Sequence, residues 1–196
     1  MRPLTTVGGR LLSKNYLRTN MTDSRDTIVA WAKWAVANHA HFHYTEGPQR
    51  MEALGTFPIK FPVFADCSAA VTLWFWLSGA ADPNGGTAYK GNQFGREGYT
   101  GTLFGHGTKI DPAHVVPGDV VIYGANPGEH TALVVEVHGT DILTVSHGEE
   151  GDPSLVWVNA PKGPNPHKYG HDGRTPQTFL RFPTATIGTL HTPPVA

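Results

Sequence analysis

The chain has 196 residues, enough for one domain with a substantial core. Hydrophobic residues make up 39 % and charged residues 16 %; the formal net charge of −1 argues against a general nucleic-acid binder, which carries a basic excess. A single cysteine excludes an internal disulfide, and no apolar run reaches the roughly 18–20 residues that cross a membrane.

Residues 1–20, "MRPLTTVGGRLLSKNYLRTN", read as an N-terminal arm. They are basic but broken by Gly, Asn and Lys, so they lack the apolar centre of a secretory signal, and synthesis in the cytoplasm is the expectation. One domain is expected over 21–183. Its first helix lies in "TDSRDTIVAWAKWAVANHA", where Thr22, Asp23 or Ser24 can cap and Ile28, Trp31, Ala32, Ala35 and Val36 keep helical spacing. A connection follows, its end kept extended by Pro58 and Pro62. A second helix starts near Asp66 and runs to about Leu77, where "SGAADPNGG" stops it. It is apolar nearly all round and should be the central buried helix.

Residues 82–112 are rich in Gly and spiked with aromatics, which predicts a long surface loop with a short helix near Thr100–Phe104. After "VVPGD" the pattern changes to short β-branched runs bounded by turns: 119–124, 130–137, 141–147, 154–158 and 178–182. Helices first and strands later predict an α+β fold, with an antiparallel sheet of five to six strands on the second helix. Residues 184–196 read as a flexible C-terminal tail.

The lone thiol stands where chemistry is plausible. Asp66 is a candidate N-cap, so Cys67 falls in the first turn of the apolar helix, where unpaired N–H groups and the helix dipole favour a thiolate. The bland alternative is a small buried hydrophobe. A thiolate catalyst also needs a base and a group to orient it. His130 opens the strand "HTALVVEV" and His147 closes "DILTVSH". An antiparallel hairpin through "HGTD" brings both to one edge of the sheet; two ordinary strand-end histidines are the alternative.

The runs "ADCSAAVTLWFWLSG", "VPGDVVIYG", "HTALVVEV" and "ILTVSHG", in that order, resemble the NlpC-type peptidases, papain-like cysteine peptidases of the bacterial cell wall. The resemblance spans roughly residues 44–158. Its D-C-S-G reads D-C-S-A here. With "GYTGTL" and "TVSHG", the chain looks most like the peptidase domain of endolysins from phages of actinobacteria. The resemblance implies a papain-like α+β fold with Cys67 as nucleophile, His130 as general base and His147 as the orienting third residue. It implies acyl transfer on peptidoglycan stem peptides, with the Cys67 backbone N–H helping to hold the oxyanion. It implies a monomer without cofactor or metal, acting at the wall after release from the host cell. Tyr44 of "HYTEG" matches the family's Tyr-x-x-Gly, at a longer distance from the cysteine. The same triad would serve an N-acetylmuramoyl-L-alanine amidase or a transacylase, and an inert thiol would leave a wall-binding module.

Weaker signals have bland readings beside them. His106 could line a substrate cleft or be an exposed loop histidine. Glu149, in "HGEEGD", could meet an amine-bearing substrate or belong to a solvated turn. His39, His41 and His43 lack a matching cysteine pair or an H-E-x-x-H, so a metal site is not expected.

Overall fold

The computed structural model describes residues 23–89, 98–148, 153–162 and 169–194. The arm at 1–20 and Glu149 lie outside the described residues. Helix α1 spans Arg25–Ala37 and buries Ile28, Trp31, Ala32 and Ala35, the stripe its spacing predicts; Val36 is half-buried. Ser24 is the N-cap, but its hydroxyl pairs with Thr186 Oγ1 at 2.6 Å, and Asp23 Oδ1 takes the Arg25 N–H at 3.0 Å.

Strands β1 (Phe42–Tyr44) and β2 (Val63–Ala65) pair in parallel, Tyr44 beside Ala65. This pair sits within the segment expected to be only a connection. It brings Tyr44 next to the residues that enter helix α2, Cys67–Leu77. Every residue of α2 except Trp76 is buried, as its all-round apolar sequence requires. Helix α3 spans Thr100–His106.

The main sheet holds seven strands in the order β3-β9-β4-β5-β6-β7-β8. The five runs expected from the sequence are β4 (Val120–Tyr123), β5 (His130–His138), β6 (Asp141–Ser146), β7 (Ser154–Trp157) and β9 (Gln177–Arg181). Two short edge strands, β3 (Thr108–Ile110) and β8 (Gly170–His171), raise the count above the five to six expected. Every pairing is antiparallel except β7 with β8. The α+β class holds. One face of the sheet packs Val120, Ile122, Leu133, Val145 and Leu180 against α1 and α2, while Val121, Tyr123, Ala132, Val134 and Phe179 cluster on the other.

Asp119 of "PGD" is fully buried and ties three elements together. It takes Arg25 Nη1 of α1 at 3.2 Å, and Arg181 Nε and Nη2 of β9 at 2.8 and 2.7 Å. Gly118 precedes it at φ +89°, where a Cβ would stand 2.7 Å from Arg25 Cγ.

The segment after β9, expected to be a flexible tail, runs back over the helices. Ser24 N–H donates to Thr184 O, Ile187 and Gly188 N–H to Gly79 O, and His191 N–H to Leu77 O. Trp31 Nε1 donates to His191 O at 2.6 Å, and the His191 ring stacks on Phe57 at 3.8 Å. These are mostly backbone contacts, which a Pro- and Thr-rich sequence does not announce.

Candidate active site

The sequence "ADCSA" starts a helix because Asp66 can satisfy it. Asp66 is extended, and its Oδ1 accepts from Ala69 N–H at 2.7 Å and from the Ser68 hydroxyl at 2.8 Å. Oδ2 takes Arg50 Nη1 at 2.7 Å. Cys67 therefore occupies the first helical position, 8 % exposed.

Three donors meet its sulfur: the backbone N–H of Thr131, the Thr100 hydroxyl and the backbone N–H of Ser68. Thr131 follows His130, so the thiol lies against the start of β5 at the point where that histidine enters the sheet. Thr100 opens α3 and is itself held by the loop before β5: a Cβ on Gly128 would meet Thr100 Cγ2 at 2.7 Å.

The electrostatics differ from the expectation at a helix terminus. Burial, with the Asp66 carboxylate adding to it, pushes the Cys67 thiol up to about 11, and the three donors only partly offset this. The resting thiol is neutral. A helix N-terminus lowers a thiol's pKa where water or a cation supports the charge; here the site is closed and the nearest full charge is negative.

His130 is buried. Its Nε2 lies 2.8 Å from Ser146 Oγ, and its ring stacks on Tyr123, its cross-strand partner, with centroids 5.8 Å apart. Pairing of Ala132 with Ser146 sets Ser146 on the His130 side of the ladder and His147 on the other. The His147 ring, 1 % exposed, meets Tyr44 edge-on at 5.7 Å. Tyr44 donates to Glu46 Oε1 at 2.9 Å. Burial first, then the bond to Glu46 and the nearby Cys67, raise its hydroxyl above the ordinary tyrosine value.

Cys67, Tyr44 and His147 are thus gathered at the head of α2, whereas the His130 ring lies with Tyr123 and Ser146 on the other side of the ladder, next in the chain to the Thr131 N–H that meets the thiol. His106 is exposed at the other end of α3, its Nδ1 2.8 Å from Thr102 O. His41 and His43 face Phe61 and Phe64, and the described residues hold no cluster of three metal-ligating side chains. Ser146, Thr100 and Arg50 were missed. Strand alternation and the turn "HGTD" carried a signal for Ser146; Thr100 and Arg50 come from distant segments that carry none.

No family model matches the chain, and no curated protein matches it by sequence. Solved structures do. The peptidoglycan hydrolase RipB of Mycobacterium tuberculosis matches at 19 % identity and a TM-score of 0.47, over 90 % of this chain and 73 % of that one. RipD of the same organism, a non-catalytic NlpC/p60 domain protein adapted to peptidoglycan binding, matches at 18 % and 0.43, over 82 % and 98 %. The P60 domain of an antigen from M. avium subspecies paratuberculosis matches at 16 % and 0.45, over 81 % and 93 %. These likenesses are distant, and no residue's role is carried over from them.

Proposed function

We propose that the chain is a cysteine hydrolase of amide bonds in peptidoglycan stem peptides, of the kind phage lysins supply. The observation that carries this reading is Cys67 at the first position of an Asp66-capped helix, in contact with the Thr131 N–H that follows His130. The D-C-S, P-G-D and H-T-A runs of the sequence support it.

Because the thiol rests neutral, ionisation and attack belong to one step. His130 accepts the Cys67 proton as sulfur bonds to the peptide carbonyl carbon, and the carbonyl π electrons move onto oxygen. The Cys67 backbone N–H, at a helix start without an intrahelical acceptor, is one donor for that oxyanion. Collapse expels the amine, which takes the proton from His130. Water then adds to the thioester carbonyl, giving its proton to His130, and the thiol leaves reprotonated. The orienting role that the resemblance gives to His147 we assign to Ser146, because Ser146 Oγ holds the His130 ring nitrogen. His147 and Tyr44 wall the other side of the thiol.

One observation favours a second reading, a wall-binding module: the thiol is buried and held protonated. Incubating purified peptidoglycan with the parent and with Cys67→Ala, then identifying new termini by mass spectrometry, decides between them. The proposal expects new amino termini within stem peptides from the parent alone. Wall binding by both proteins without new termini overturns it in favour of the binding module.

A further inference from the structure

A groove of about 490 Å³ lies on the β6–β7–β8 side of the sheet, and Ser146, Asp172 and Arg174 all line it. Ser146 is the partner of His130. Asp172 follows β8, its backbone N–H fixed on Trp157 O at 2.7 Å. Its two carboxylate oxygens take Arg174 Nε at 3.0 and 2.9 Å, and Oδ2 takes Nη2 at 2.5 Å. The Arg174 guanidinium in turn stands over the Tyr123 ring, 5.5 Å from its centroid, and Tyr123 stacks on His130. The Tyr123 ring therefore lies between this ion pair and the imidazole, and Ser146, which holds the imidazole, faces the same groove as the pair.

We propose that Asp172 is a positioning residue for His130: its carboxylate, clamped by Arg174 beside the groove, supports the protonated imidazole that forms when the thiol gives up its proton. This rests on His130 being the base proposed above. The charge balance around the ring supports it. The groups around the His130 ring are Tyr123 from β4, Ser146 from β6, and Asp172 and Arg174 after β8; Cys67 of α2 meets the Thr131 N–H next in the chain, His147 lies on the other side of the ladder, and exposed Glu129 precedes His130. With the thiol and Tyr123 neutral, Asp172 is the charged acid of this set that lies within electrostatic reach of His130. Burial works against its charge. Hydrogen bonds and the charge of Arg174, with His130 contributing least, nevertheless hold its carboxyl below the ordinary value. Arg174 sets how much of that charge the imidazole feels.

The test is a titration of the His130 ring by NMR in a Cys67→Ala background, its signal identified by loss in His130→Gln. It needs no activity, so it stands or falls apart from the hydrolase reading. Asp172→Asn is expected to move the His130 midpoint down by about 0.5–1 pH unit, and Arg174→Gln to move it up by a similar amount. In the active protein, the acidic limb of the rate profile should follow with the same signs. A merely structural role would not give opposite shifts from two members of one pair. Unchanged midpoints, or shifts of the same sign, overturn the proposal; if Asp172→Asn does not fold, an unchanged midpoint in Arg174→Gln does so alone.

Discussion

Asp66 and Arg50 form an ion pair of 2.7 Å whose acid also caps the helix that begins with Cys67. One carboxylate thus builds the helix start and disfavours a thiolate beside it. Asp66→Asn separates the two roles, since the amide oxygen can still accept from Ala69 N–H while the charge is gone. The Cys67 pKa should then fall from about 11, and alkylation by iodoacetamide at pH 9 should quicken. A slower or unchanged rate would mean that Asp66 does not restrain the thiol.

The raised thiol is also a statement about stability. An unperturbed thiol titrates near 9.0 and this one near 11. Stability from the neutral buried thiol is fully present below pH 9 and is lost as pH rises through 11, by about 1.4 kcal/mol per unit of separation. The stability of the parent relative to Cys67→Ala should therefore decline between pH 8 and pH 10.5 in urea titrations. A difference that stays constant with pH would show that the thiol is not held neutral by the fold.

Ser146 and His147 are neighbours in sequence on opposite sides of β6, so their substitutions should separate. Ser146→Ala should lower the wall-lysis rate by about tenfold to a hundredfold, because the base loses its fixed orientation. His147→Ala should cost less, acting through Tyr44, and His147→Asn should restore little. If the order is reversed and asparagine at 147 rescues, His147 is the orienting residue and Ser146 is not.

Asp119→Asn should be strongly destabilising although it lies outside the site. It leaves Arg25 and Arg181 facing a buried amide in place of the carboxylate they share. A loss of about 3–5 kcal/mol is expected in chemical denaturation. A loss below 1 kcal/mol would show that this buried cluster contributes little to stability.

What could be read from the sequence follows from what sequence patterns encode. Helix α2 was legible from an unbroken apolar run between a capping Asp66 and the Gly- and Pro-rich stop, and the five longer strands from β-branched runs bounded by turn residues. Strands β3 and β8, of three and two residues, are too short to carry a period. The β1–β2 pair needs residues 42–44 and 63–65 to meet across an irregular segment, a long-range pairing with no local mark. At the candidate site, the thiol's position at a capped helix start was legible from "ADCS", but its charge state was not. Burial of Cys67 depends on Thr100 and the chain around Gly128 closing over it, and that lies in the tertiary structure alone.

The segment that returns after β9 grips Leu77, the last residue of α2, and Gly79 just beyond it, while Cys67 stands at the opposite end of the helix. Eleven residues of helix separate the two by about 16 Å. Tension on this segment would enter the domain at the helix pole farthest from the thiol. A rigid helix passes such a pull along its axis, so a cargo fused after residue 194 would be carried clear of the thiol yet mechanically coupled to it.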